Sequence, residues 1–197
     1  MGQVFFRIAL TAGLAAVFSL TAPAATTEWQ IDPAHSSAQF AVKHLTISTV
    51  RGAFTSVKGN VEFDDKDITK STVDVTIDIN SVDTRVEARD KDLRSDHFFD
   101  VEHYPTMTFK STRIEQVAPG KLKVIGNLTI HGVTKEVALD VDGPTSPIKD
   151  PWGNQRMGIN ATTKISRKDF GIGANYGSAM IGEEISITID SEVFHKP

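Results

Sequence analysis

Cysteine is absent from this chain of 197 residues. That one absence excludes disulfide staples, thiol nucleophiles and cysteine-bound metals together. Long apolar runs are almost absent too. The one such stretch, Ile8 to Leu20, is shorter than the roughly 20 residues a bilayer-spanning helix needs. Charge of a single sign is also missing, with 21 basic residues scattered against 25 acidic ones and no basic run. A mildly acidic chain of this kind is a poor match for nucleic acid and for anionic membrane surfaces. There is no HExxH spacing, no G-x-G-x-x-G turn and no nucleophile elbow. The short apolar run, with no basic stop after it, argues against a membrane anchor, and the chain offers no catalytic signature.

The N-terminus reads as an export signal. Arg7 supplies a short positive start, the apolar stretch follows, and Ala22-Pro23-Ala24 places small residues at the cleavage positions. Cleavage after Ala24 makes residues 1–24 the signal and 25–197 a single folded domain. Losing Arg7 takes the basic count from 21 to 20 against 25 acidic residues, a formal charge of −5. An exported domain without disulfides must be held by apolar burial.

What the chain does have is alternation. Val73, Val75, Ile77 and Ile79 share one face, with Asp74, Thr76 and Asp78 on the other. Ile185, Ile187, Ile189 and Val193 repeat the pattern near the C-terminus. A period of two means strands with one dry face and one wet face, and many in succession mean a sandwich or a barrel. Further strands are expected at Glu28–Asp32, around Phe40 and Val42, at Phe54–Phe63, at Met107–Phe109, and at Met157–Ile165. Leu122–Ile130 and Val137–Val141 flank a compact His131-Gly132 turn as a hairpin, with Gly126 as a bulge position. One segment breaks the rhythm. Thr84-Arg85-Val86-Glu87 fits a capping box, which predicts a helix of two to three turns up to Arg94. The sum is an all-β chain: a single antiparallel lipocalin-like barrel of about eight strands with a short helical insertion. A barrel of that size is filled by side chains or holds one small ligand.

The polar candidates for chemistry are weak. Six histidines show no metal-ligand spacing, so no metal and no cofactor is expected. Asp64, Asp65 and Asp67 lack the central glycine and final glutamate of a calcium loop and read as a solvated turn. Gly171-Ile172-Gly173 reads as a loop needing positive φ. Asp32, His35 and Ser36 invite a nucleophilic trio, but adjacent strand residues diverge to opposite faces.

The segment Trp29-Gln30-Ile31-Asp32-Pro33-Ala34-His35-Ser36, with Phe40, Val42, Lys43 and His44 after it, resembles the opening motif of the YceI-like family. So do Arg89-Asp90, Leu93-Arg94-Ser95, Phe98-Phe99-Asp100 and Tyr104-Pro105 in the middle. Leu128-Thr129-Ile130-His131-Gly132-Val133-Thr134-Lys135 and Ile165-Ser166-Arg167-Lys168-Asp169-Phe170-Gly171 complete the likeness. The resemblance implies a lipocalin-like barrel whose lumen takes a polyisoprenoid or similar amphiphile, such as an isoprenoid quinone or prenyl pyrophosphate. It also implies a periplasmic location and, for some members, a link to stress responses. It carries no settled catalytic residues, so the chain is expected not to be an enzyme.

Apolar strand faces then nominate the lumen contacts: Phe40, Val42, Phe54, Val75, Ile77, Phe109 and Ile187. Lys43, Arg51, Arg89 and Arg94 are the cations placed to meet a polar head group, each with a surface ion pair to Asp90, Asp92 or Asp96 as its rival role. At about 0.8 kcal/mol per buried methylene, a chain of roughly forty carbons would exceed the practical affinity ceiling on paper, so a moderately complementary tunnel suffices. Two rival readings stand beside the carrier: a filled barrel acting in stress protection or protein interaction, and an enzyme acting on such a lipid. The oligomeric state stays open, a homodimer included.

Overall fold

The computed structural model describes Met1 and residues 26–196, so the expected signal segment lies outside the described residues apart from Met1. Twelve strands form one sheet among those residues. β1 (Thr27–Ile31) and β2 (Ser37–His44) are two halves of one line, broken by a 3-10 turn at Pro33–His35. Proline has no N–H for a ladder, which makes the break local and sharp. β3 (Ser48–Phe54) and β4 (Val57–Phe63) form the next line, antiparallel to the first. β5 (Thr72–Asp78) and the short β6 (Val82–Asp83) form the third. Then follow β7 (Thr106–Ala118), β8 (Lys121–Ile130), β9 (Val133–Asp142), the short β10 (Ile148–Lys149), β11 (Gln155–Ser166) and β12 (Ile181–His195). β12 pairs with both β1 and β2 on one side and with β11 on the other, which closes an eight-stranded antiparallel barrel. The expected fold class is the observed one.

The joints of the barrel are uneven. β11 and β12 pair at twelve positions, from Gln155↔His195 to Ser166↔Glu184. β8 and β9 pair at ten. β9 and β11 pair at three only: Asn160↔Asp142, Ala161↔Val141 and Thr162↔Asp140. Beyond them, Thr163 Oγ1 donates to the Ala138 carbonyl at 2.8 Å.

The insertion between β6 and β7 carries α1 (Glu87–Arg94). It departs from the expected capping box. Val86 occupies the N-cap without a side-chain bond, and Thr84 turns to Asp90 instead. The buried Asp90 carboxylate accepts from both the N–H and the hydroxyl of Thr84, at 2.9 and 2.5 Å. Two bonds to a charged acceptor outweigh the one that Glu87 could supply. The Asp64–Asp67 turn is also more than a solvated one. Asp64 is buried, and its Oδ1 accepts the N–H groups of Lys66 and Asp67, each at 2.9 Å. The expected bulge lies across from Gly126, on β7 between Ser111 and Arg113. Gly126 itself is there for space: a Cβ would sit 2.5 Å from the Phe109 ring and from the Lys110 carbonyl.

One end of the barrel, called upper here, holds the β2–β3 turn, the α1 insertion, the His131-Gly132 turn and the segment before β12. Phe54, Phe98, Phe99, Met107, Ile130, Phe170 and Ile172 pack there as a buried cluster. Phe98 stacks on Tyr176 at 5.2 Å, and Phe54 meets Phe99 edge-on at 5.6 Å. Offset and edge-on pairs of this kind favour one arrangement of the cluster. The middle and lower parts of the interior are built by clusters around Trp29, Val57 and Val193 and around Phe109, Leu122 and Val141.

Candidate ligand-binding lumen

Inward positions of the strands enclose a cavity of about 260 Å³. By the measure in which one water takes about 10–15 Å³, that is room for roughly twenty waters. β5 contributes Val73, Val75 and Ile77, while its Asp74 points out to an ion pair with Lys110 at 3.5 Å. β12 contributes Ile181, Ile185, Ile187, Ile189 and Val193. β11 contributes Met157, Ile159, Ala161, Thr163 and Ile165. The wall therefore follows directly from the period of two. All seven residues nominated as lumen contacts, Phe40, Val42, Phe54, Val75, Ile77, Phe109 and Ile187, stand in this wall.

The polar members of the wall among the described residues are Gln39, Ser71, Thr163, Ser191 and Arg167, of which only Arg167 is charged. Arg167 is 2% exposed. Its Nε donates to the Gly182 carbonyl at 3.0 Å. One terminal nitrogen donates to Ile172 and Gly173, at 3.0 and 2.6 Å, and the other to Tyr176 and Ile181, at 2.6 and 3.0 Å. A guanidinium has five N–H donors, so this one is saturated by main-chain carbonyls. Burial pulls its pKa below the ordinary arginine value, with Glu183 pulling the other way. It opens the 3-10 turn Arg167–Phe170 just past the end of β11, where strand alternation no longer assigns a face. Sequence reasoning missed it for that reason and because an arginine in a connection reads as surface.

The four proposed head-group cations are placed differently. Arg89 donates Nε to the Thr84 hydroxyl at 2.8 Å and a terminal N–H to the Thr84 carbonyl at 2.9 Å. Arg94 donates to the carbonyls of Asn80 and Val82, at 3.2 and 3.0 Å. Both hold α1 against the segment around β6, through main-chain carbonyls and the Thr84 hydroxyl and not through an ion pair with Asp90, Asp92 or Asp96. Lys43 and Arg51 are exposed on the outer face of the β2–β3 hairpin, since Phe40 and Val42 take the inner one. None of the four stands in the cavity wall.

The proposed trio separates as expected. His35 Nδ1 meets Asp32 Oδ2 at 2.9 Å, while Ser36 Oγ pairs with Ser191 Oγ, also at 2.9 Å. Asp32, His35 and Glu192 do bring potential ligand atoms within 4.8 Å of one another. Arg156 already occupies that space, donating to Asp32 Oδ2 at 2.6 Å and Glu192 Oε2 at 3.0 Å, and through Nε to Asp150 at 2.9 Å. The Arg156 bond is the main reason the Asp32 carboxyl is lowered to about 2. The cluster is a fastening between the β1–β2 break, β11 and β12, with its cation built in. The lumen itself offers an enclosure with a largely apolar wall.

Known proteins share this architecture. A model of the YceI-like domain matches residues 29–193. A UPF0312 protein of Vibrio cholerae is 38% identical over 180 residues, covering 90% of this chain and 95% of the relative. The protein YceI of Salmonella newport is 38% identical over 179 residues, covering 90% of this chain and 93% of the relative. A crystal structure of a Campylobacter jejuni YceI protein superposes with a TM-score of 0.71 at 34% identity, covering 79% of this chain and 90% of that one. A polyisoprenoid-binding domain from Saccharophagus degradans has the same fold, with a TM-score of 0.64 at 18% identity, over 86% of this chain and 98% of that one.

Proposed function

This chain belongs to the YceI-like family, and on that premise we propose that it is an exported, periplasmic carrier. Its lumen holds a long-chain isoprenoid lipid, a prenyl pyrophosphate or isoprenoid quinone, or a similar amphiphile. The observation that carries this reading is the character of the wall. It is apolar along the barrel, and its one charged group has no donor left to give. A ligand gains burial from such a wall but no directional bond. That selects for apolar chains and tolerates differences in their length. The polyisoprenoid-binding relative of the same fold supports the choice of ligand. A polar head must then lie at one end of the barrel, where it stays wet or meets loop groups.

Binding rather than catalysis is the better reading of the same wall. Proton transfer needs an acid and a base poised together near the substrate, and the wall residues among those described are aliphatic, aromatic, hydroxyl or amide apart from Arg167. The experiment is to purify the protein from periplasm, extract it with organic solvent, and identify what is released by mass spectrometry. Stoichiometric prenyl lipid or quinone supports the carrier. No lipid on the purified protein, together with no uptake of added prenyl lipid, overturns it.

A further inference from the structure

We propose that the upper rim of the barrel is a docking surface for an anionic lipid bilayer, built around the tip of the β2–β3 hairpin. Three observations meet there. The first is exposed apolar surface. Leu45 and Ile47 in the turn are 48% and 83% exposed, and Met180, just before β12, is 48% exposed. They form one patch, because the Leu45 N–H donates to the Met180 carbonyl at 2.9 Å. Val42 and Ile181, on the two strands that lead away from this patch, belong to the lumen wall.

The second is backbone conformation. Leu45 and Thr46 both adopt positive φ, 49° and 62°. Glycine or asparagine would enter that region more easily, and a β-branched threonine enters it with strain. The turn therefore keeps Leu45 in water at a backbone position that glycine or asparagine would relax, with the exposed Ile47 two residues on. Strain and exposed apolar side chains at one site point to something that contacts it.

The third is charge. The chain is acidic as a whole, and the α1 insertion on the same rim exposes Glu87, Asp96 and Glu102 against Arg85 and Lys91, so the basic surface is confined to the hairpin itself. From Asp32 to Glu62 there is no intervening acidic residue. Lys43 and Arg51 lie in that interval on the outer face of the hairpin, and Ala41↔Arg51 beside Lys43↔Thr49 makes them diagonal neighbours. Neither forms an ion pair among the described residues. The acidic residues nearest in sequence to Met180 are engaged by their own lysines, Glu183 by Lys168 at 3.4 Å and Glu184 by Lys164 at 2.8 Å. Apolar side chains flanked by free cations match the boundary between headgroups and acyl chains of an anionic leaflet. The carrier reading supplies a purpose for such contact, which is collecting or delivering cargo without passing it through water.

The test is flotation of purified protein with vesicles of phosphatidylcholine, with and without phosphatidylglycerol. The expected result is binding to the anionic vesicles that weakens as salt is raised. Ile47→Asp should reduce it about tenfold. Lys43→Glu with Arg51→Glu should reduce it more than tenfold, since each basic residue near an anionic surface is worth about fivefold. All these positions are exposed, so the variants should keep the wild-type melting temperature, and that is measured alongside. No vesicle binding, binding unchanged in the variants, or equal binding to neutral vesicles overturns the proposal. A dimer seen by light scattering without vesicles, and dissociated by Ile47→Asp, assigns the patch to a second copy and overturns it as well. The solvent extraction described above reads the lumen alone, so it can succeed when vesicle binding fails.

Discussion

Replacing Arg167 by methionine removes a saturated guanidinium from the barrel wall while keeping a long, flexible, apolar stem. The cost follows from what its five carbonyl partners do next. Those of Gly182, Tyr176 and Ile181 belong to half-buried or exposed residues, and water can take over their bonds. Those of Ile172 and Gly173 belong to buried residues, and both bonds lie in the interior. A buried acceptor left without a partner costs about 1–3 kcal/mol. Two of them put the loss at about 2–6 kcal/mol, a large part of the stability of an ordinary domain. For a domain of this size each kcal/mol is worth about 2–4 °C, so a mid-range loss of about 4 kcal/mol lowers Tm by about 8–16 °C. Arg167→Lys supplies three donors from one atom and should recover only part of this, since an ammonium cannot span the fork. Urea unfolding of the three proteins, with the slope checked for constancy, reads the difference directly. An Arg167→Met variant within about 1 kcal/mol of wild type would refute the view that this side chain organises the segment between β11 and β12.

A charge placed at Phe109, a buried wall residue, cannot be compensated there. Phe109→Asp should lower affinity for a prenyl lipid about tenfold or more, while Phe109→Ala retains binding; full affinity in a folded Phe109→Asp protein would remove this ring from the contact surface. Asp32 titrates at about 2 in the folded chain against an ordinary 3.8, so its ionised form stabilises the fold above about pH 4 and that contribution is lost as pH falls through about 2. Melting temperatures of Asp32→Asn should therefore change less with pH over that window than those of wild type, and parallel curves would show that the Arg156 bond does not contribute. Mature protein isolated from the periplasm should begin at Ala25 or Thr26 by N-terminal sequencing; an intact Met1 on membrane-bound protein would refute the export signal.

The fold was legible because its main force acts with the strand period. Val73, Val75 and Ile77, or Ile185, Ile187 and Ile189, can share one face only in extended chain, and burying that face on every strand closes a barrel. The wall residues came with it, since inward position and apolar character coincide at Phe40, Phe54 and Phe109. What stayed hidden depends on which polar partners the folded chain sets opposite each other, near in sequence or far. Asp90 reaches back to Thr84 and displaces the capping box written in the local sequence. Arg156 draws together Asp32, Asp150 and Glu192, which lie far apart in the chain. Arg89 and Arg94 could not be told from surface cations until the carbonyls of Thr84, Asn80 and Val82 stood opposite them.

A ring resists being stretched only as well as its weakest joint. On one side β11 is held by twelve rungs along its whole length, and on the other by two from β10 at its lower end and three from β9 at its middle. At about 1 kcal/mol net per main-chain bond, parting the second side costs about 5 kcal/mol and parting the first about 12. Widening of the barrel would therefore be concentrated along one line, between Val133–Asp142 and the upper half of β11, where no rung joins the two strands. A ligand larger than the cavity of about 260 Å³ would enlarge it most cheaply along this single seam, and Asp140, Val141 and Asp142 with their three partners would bear the strain.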